Sequence, residues 1–356
     1  MNDPRSNPSA PVRLGFVGAG AMGQCAHLRN YASLDECRVV ALAEPRAELA
    51  RRVAERYGIP NVYPDGEAMI ATEGLDGIVA PLPFDRHGLV VEPLYRHGLP
   101  ILTEKPLAAS VEMGEKLLAS LAAGGSWHMV GYHKRSDPAT EWAKAEIDRL
   151  KATGELGALR YVRITMPPGD WIAGGFNEMI GTDEAPPASD PDPMPEGMDR
   201  ATYDQYVSFV NYYIHQVNLM RHLFGEAYTV EHVDPSGVLL VVKSASGVCG
   251  IIEMEPYRTT VDWQEKALVT FENGWIEIAL PAPVALNRPG RVTVFRDPGR
   301  GANPTLTEPQ MPWSHAMRNQ AVNFVRSVRG EAKPPCEAAE ALEDLEIARE
   351  VIRMMG

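Results

Sequence analysis

The sequence has no apolar run of the roughly 18 residues needed to cross a bilayer as a helix. Its first eleven residues, Met1 to Pro11, are polar and proline-rich. They lack the apolar stretch of a signal peptide and are expected to form a disordered tail. Cysteine is scarce: Cys25, Cys37, Cys249 and Cys336 are scattered with no CxxC spacing. That pattern argues against a zinc site and for reduced thiols in a cytoplasmic protein, with no metal expected. Positive charge is also in deficit, with 34 Lys and Arg against 47 Asp and Glu, a net charge of −13. A general nucleic-acid binder or a protein docking on an anionic membrane would need the opposite balance. No internal repeat is visible, so repeat architectures fall away.

What is present is enough chain for two domains: 356 residues of ordinary globular composition. The negative charge is concentrated. Between Gly169 and Tyr206 there are nine acids, one base and five prolines. The segment of about 172–202 therefore reads as an acidic, proline-rich insertion, expected to be a lid or a subunit-contacting arm. An acidic lid would favour neutral or cationic ligands over anionic ones.

Residues 12–132 alternate apolar strands with helices. Strands are predicted at 12–18, 38–43, 77–80, 100–103 and 128–132, with helices at 21–34, 46–57, 86–97 and 111–123. Near-continuous apolar strands joined by helices imply an α/β fold, a doubly wound parallel sheet covered on both faces. The first strand ends in Gly18-Ala19-Gly20-Ala21-Met22-Gly23, which fits G-x-G-x-x-G. In such a turn the first glycine allows the tight bend, the second lets a pyrophosphate approach, and the third lets helix and strand pack closely. The phosphates then sit at a helix N-terminus. Glu44, at the end of the second strand, is placed to accept hydrogen bonds from the adenosine ribose. That favours NAD over NADP, with Arg46 the one residue nearby that could instead meet a 2′-phosphate.

Residues 133–356 have another texture. A helix (139–150) and a strand (159–166) precede the acidic segment. A long helix over 203–224 follows it, then short strands at 238–243, 248–254, 266–271, 275–279 and 292–296. Asn273-Gly274 and Ser246-Gly247 signal hairpins. Helices at about 313–329 and 337–354 close the chain. The expectation is an α+β domain with an open, largely antiparallel sheet. At about 100° per residue, Asn211, His215, Asn218 and His222 would share one face of the long helix beside an apolar stripe. Asn and His in place of Glu, Lys and Arg suggest a pocket wall. Arg221, pointing toward the stripe, calls for a buried ion pair.

These features together resemble the glucose–fructose oxidoreductase and inositol dehydrogenase family, Gfo/Idh/MocA. Beyond the glycine loop, the resemblance rests on Pro81-Leu82-Pro83-Phe84-Asp85-Arg86-His87, on Glu104-Lys105-Pro106, on Gly131 to Pro138, and on the helix around His215 ending Leu223-Phe224-Gly225. It implies a Rossmann domain, a second domain with an open sheet, a nicotinamide held between them, and homodimers or homotetramers. It implies cofactor contacts from Gly18, Ala19, Gly20, Ala21, Met22, Glu44, Leu82, Pro83, His87, Glu104 and Lys105. Lys105 would hold and activate the reacting oxygen, and His215 would relay the proton. Aspartates that the family often carries around this histidine are Asn211 and Asn218 here, which leaves Lys105 as the firmer assignment. Tyr132, His133, Asp170, Trp171, Asn211, Tyr212 and Asn218 are candidate substrate residues.

The implied activity is NAD-dependent hydride transfer at a secondary alcohol of a sugar, glycoside or cyclitol. One alternative keeps the cofactor bound and recycles it, or oxidises C3 of a glycoside to prime loss of its aglycone. Another, from a different class, is a non-catalytic NAD-binding sensor.

Overall fold

The computed structural model describes residues 10–188, 190–195 and 197–355. Most of the expected N-terminal tail, residues 1–9, lies outside them. The chain divides into two units. The first comprises Met1–Gly131, Gly175–Glu196 and Gln320–Leu342, and the second Tyr132–Gly174, Gly197–Asn319 and Glu343–Gly356.

In the first unit six parallel strands stand in the order β3-β2-β1-β4-β5-β6. They are β1 (Val12–Val17), β2 (Cys37–Ala43), β3 (Asn61–Tyr63), β4 (Gly77–Ala80), β5 (Ile101–Glu104) and β6 (His128–Gly131). The four residues of β4, β5 and β6 are all buried, as a sheet covered on both faces requires. The helix after the glycine loop, α1, winds widely over Gly23–Leu28 before ending as Arg29–Tyr31. Next come α2 (Ala47–Tyr57) and α3 (Gly66–Thr72), and later α4 (Val111–Gly124). Strand β3 and helix α3 escape sequence patterning because three residues with two exposed carry little periodicity. The helix expected over 86–97 is irregular, as Pro93 cannot donate to the turn before it.

The boundaries differ from the single cut expected near residue 132. Ala321, Phe324 and Val325 of α8 (Ala316–Val328) join Leu14, Phe16, Tyr31 and Leu102 in the first unit's core. Phe324 meets Tyr31 and Trp127 edge-on, at 6.4 and 5.6 Å between centroids. The chain beyond α8 then covers the edge of β6, with Val130 N–H donating to Cys336 O at 3.0 Å. The acidic segment also belongs here over 175–196, not to the second unit.

The second unit is built on eight strands in the order β14-β13-β12-β11-β7-β10-β9-β8. Strand β7 (Leu159–Met166) lies inside the sheet, parallel to β10 (Cys249–Met254) and antiparallel to β11 (Glu265–Phe271). The rest pair antiparallel: β8 (Tyr228–Val233), β9 (Leu239–Ser244), β12 (Gly274–Leu280), β13 (Arg291–Arg296) and β14 (Thr305–Thr307). Helices α5 (Pro138–Thr153) and α7 (Ile214–Phe224) pack against it. A Cβ on Gly250 would lie 2.7 Å from the Phe224 ring, so glycine lets α7 sit directly on β10.

The long helix expected over 203–224 is broken. Helix α6 (Arg200–Tyr212) ends, Tyr213 sits at φ −104° and ψ −6°, and α7 begins at Ile214. Two tyrosines followed by a β-branched residue are weak helix formers, and a tight turn intervenes. Helix α9 (Ala338–Met355) closes the chain. Among the described residues no helix is long and apolar enough to cross a membrane.

Candidate functional site

The glycine loop has the geometry its spacing demands. Gly18 adopts φ +94°, and a Cβ there would strike Leu82 at 2.8 Å. A Cβ on Gly23 would meet Gly18 O at 3.0 Å and Pro81 at 3.3 Å, so helix and strand pack at the closest approach glycine allows. At Gly20 an added Cβ would have no protein atom within 4 Å. Only this middle glycine faces open space, the cradle a pyrophosphate would fill. No side-chain cap bond forms at Met22, where α1 starts, and the first intrahelical bond is Gln24 N–H to Gly20 O at 2.9 Å. The N–H groups ahead of Gln24 are the ones a helix start offers to an anion. The loop therefore fits a dinucleotide. Ala21 and Met22 are half-buried beside it.

Glu44 is buried at the end of β2 and holds the loop. Its Oε2 accepts from Ala19 N–H at 2.9 Å and from Arg46 at 2.9 Å, and its Oε1 accepts from Arg46 N–H at 3.1 Å and Nε at 2.7 Å. A carboxylate has about four lone-pair positions, and all four are engaged. A ribose can bond Glu44 only by displacing the Arg46 guanidinium. Gln24 adds a second brace, its amide donating to Ala19 O at 2.8 Å.

At the end of β5, Glu104 is buried and its Oε1 lies 2.6 Å from His27 Nε2 on α1. Its Oε2 accepts from Lys105 N–H at 3.3 Å. Burial alone would raise this carboxyl, but the His27 hydrogen bond and the nearby positive charges hold it below the ordinary range. His27 thus links the glycine-loop helix to the residue before Lys105, a partner that sequence reading missed. Lys105 itself is half-buried. Leu82 packs over Gly18, and Pro83 is exposed beside it. His87 does not fit its expected cofactor contact: it is fully buried, and its Nδ1 lies 2.8 Å from Leu107 O. Burial pushes its pKa down, keeping it a neutral tie beneath the loop that follows Lys105.

In the second unit, His215 occupies the first turn of α7. The His133 and Tyr132 rings lie 4.5 and 5.9 Å from it, both nearly perpendicular. Both neighbours are buried, so they orient the imidazole rather than present a face to a ligand. The helical row expected around His215 does not form. Asn211 is exposed on α6, beyond the break at Tyr213. Asn218 is 1% exposed; its Oδ1 accepts from Arg135 at 2.6 Å and its amide donates to Asp344 at 2.6 Å. Its expected substrate role gives way to a structural one, since both ends of the amide are engaged within the fold. Arg221 has the ion pair its position demanded, with Asp344 at 3.0 Å and also with Glu343.

A second buried group was not anticipated. Lys134 pairs with Glu265, which also accepts from Gln216 at 2.7 Å and from the Trp263 indole at 3.1 Å. Asp170 closes a turn, its Oδ1 accepting from Ile172 and Ala173 N–H at 3.1 and 3.0 Å, and Trp171 O accepts from Val284 N–H. Tyr212 is half-buried, and burial raises its hydroxyl. Among the described residues no cluster of His, Cys, Asp and Glu is arranged to hold a metal.

Residues 12–132 match the family model described as an oxidoreductase family with an NAD-binding Rossmann fold. The chain is 25% identical over 300 residues to an inositol 2-dehydrogenase of Burkholderia ambifaria, covering 80% of this chain and 78% of that protein. It is 29% identical over 256 residues to the rhizopine catabolism protein MocA of Rhizobium meliloti, covering 68% and 70%. Its fold is similar to that of an aldose-aldose oxidoreductase from Caulobacter crescentus, with a TM-score of 0.69, 19% identity and coverage of 97% and 98%.

Proposed function

We propose that the chain is a Gfo/Idh/MocA oxidoreductase acting on CH–OH groups, an NAD-dependent dehydrogenase of neutral sugars, glycosides or cyclitols, a reading supported by its likeness to that family. The observation that carries this reading is the Glu104-Lys105 pair at the carboxyl end of β5. In a doubly wound sheet that is the ligand-binding edge, and Glu104 is fixed there by His27. When bound, NAD⁺ supplies the hydride acceptor.

The chain's own residues supply the rest. Lys105 donates a hydrogen bond to the substrate hydroxyl oxygen and stabilises its developing negative charge. His215, oriented by the Tyr132 and His133 rings, receives the hydroxyl proton at its imidazole. Glu44 accepts from the adenosine ribose once Arg46 releases it, which favours NAD. Asp170, Trp171 and Tyr212 are assigned to the substrate, a carboxylate for hydroxyls and aromatic faces for the ring.

Lys105→Ala tests the assignment. Turnover of polyols with NAD⁺ should fall by about a thousandfold, the scale of a lost acid–base and oxyanion contact, while NAD⁺ binding persists. Wild-type turnover in Lys105→Ala would refute the mechanism.

A further inference from the structure

The acidic segment is bound along the first unit. Glu178 pairs with Arg29 and Arg56 at 3.0 and 2.9 Å. Ile180 bonds the Gln24 amide through both its N–H and its C=O, at 2.9 and 3.0 Å. Further on, Asp192 accepts from Gly88 N–H at 2.8 Å and donates its own N–H to Asp85 O at 2.7 Å. Between these anchors Glu184 reaches the start of α2, which follows β2, while Asp192 reaches the loop after β4. Strand β1, which leads into the glycine loop, stands between β2 and β4, so these two anchors lie on either side of it.

Glu184 makes the telling contact. Helix α2 has no side-chain cap of its own at Arg46. The N–H groups of Glu48 and Leu49 donate instead to Glu184 Oε1 and Oε2, at 3.1 and 2.9 Å, from a carboxylate more than 130 residues away. Those bonds lower the Glu184 carboxyl below its ordinary range, so it is charged at neutral pH. A 2′-phosphate on the adenosine ribose would be drawn to these same donors, the first N–H groups of α2 and the guanidinium of Arg46. Here Glu184 holds the N–H groups and Glu44 pairs with the guanidinium; once the ribose takes Glu44, Glu184 is the carboxylate that remains beside Arg46.

We propose that Glu184 is a cofactor-specificity residue: it fills the anion position at the α2 N-terminus and adds a second negative charge beside Arg46, excluding the 2′-phosphate of NADP. The inference rests on the dinucleotide reading above and extends it to a residue outside the βαβ motif. The segment acts on the adenosine end of the cofactor, with no need to act on the substrate.

Calorimetric titration of the full chain with ADP-ribose and with 2′-phospho-ADP-ribose tests this without turnover. Glu184→Gln keeps the shape and one of the two acceptors, so one of the Glu48 and Leu49 N–H groups stays bonded while the charge is removed. It should tighten the phosphorylated ligand about tenfold, the scale of one screened like-charge interaction, and leave ADP-ribose within about threefold. Glu178→Gln, in the same segment but on Arg29 and Arg56, should leave the ratio of the two affinities unchanged. An unchanged ratio in Glu184→Gln, or an equal shift in Glu178→Gln, would overturn the proposal. A wild type that prefers the phosphorylated ligand would instead refute the NAD assignment, because Glu184 is judged by the change between wild type and variant.

Discussion

In the first unit the cofactor edge is made largely of main chain: three glycines, uncapped N–H groups at a helix start, and the carboxyl ends of parallel strands. In the second unit the polar centre is made of side chains that meet from far apart in sequence. Lys134 and Glu265 are separated by 131 residues, Asn218 and Asp344 by 126. Main-chain chemistry leaves a local mark, because a backbone that must bend left-handed or admit a phosphate needs glycine at fixed spacing. Side-chain networks leave none, since each member is an ordinary polar residue until the fold supplies its partner. The two regions should accordingly fail in different ways.

The largest stability effect is expected in the second unit. Glu265→Ala would leave the buried Lys134 ammonium uncompensated and strip acceptors from Gln216 and Trp263. Breaking a buried pair from one side costs about 3–5 kcal/mol. Hydrogen exchange should show the loss in β7, β10 and β11, with β1, β4 and β5 keeping their protection. Equal loss in both sheets would erase the contrast between the two regions.

A pH experiment sharpens the same contrast. In the second unit Asp137 caps α5 and accepts from Ala139 and Gly290 N–H. Burial, opposed by these hydrogen bonds, raises its carboxyl to about 6 from 3.8. The folded state thus holds this proton more tightly than the unfolded chain, so Asp137's contribution to stability falls as pH rises from about 4 to about 6. At about 1.4 kcal/mol per unit the change is about 3 kcal/mol. Asp137→Asn keeps the cap and removes the titration. Wild type should therefore lose about 3 kcal/mol relative to the variant across that window, read by urea unfolding at each pH. In the first unit His128 behaves oppositely. It is buried between Tyr95 and Thr103, and burial pushes it down to about 3. Its contribution is intact above 6.5 and is lost as pH falls toward 3.

Much of the fold was legible because strands, hairpin glycines and the glycine loop are local signals. The departures share one cause. The break at Tyr213 removed Asn211 from the row drawn on a continuous helix, and Asn218 was claimed by Arg135 and Asp344, which no periodicity connects to it. His87 carries a family motif yet is buried under Leu107. The acidic segment stood out in composition, but its place along α1, α2 and the loop after β4 depends on Gln24, Arg56 and Gly88, which carry no sign of such a partner.

The smallest structural effect belongs to Gly20, and it tests the first region directly. Gly20→Ala adds a methyl group with no protein atom within 4 Å. Its backbone is also not left-handed, so stability should stay within about 1 kcal/mol of wild type, with reduced unfolded-chain entropy favouring the variant. The methyl group stands where the pyrophosphate must approach, and NAD⁺ affinity should fall at least about tenfold, near 1.4 kcal/mol. Gly23→Ala is the contrasting case. There the methyl group meets Gly18 O and Pro81, and overpacking should cost about 1–3 kcal/mol of stability along with binding. Thermal melting and NAD⁺ titration on the two variants separate ligand-facing from fold-facing glycine. If Gly20→Ala bound NAD⁺ as well as wild type, the open side of the loop would not be where the cofactor lies.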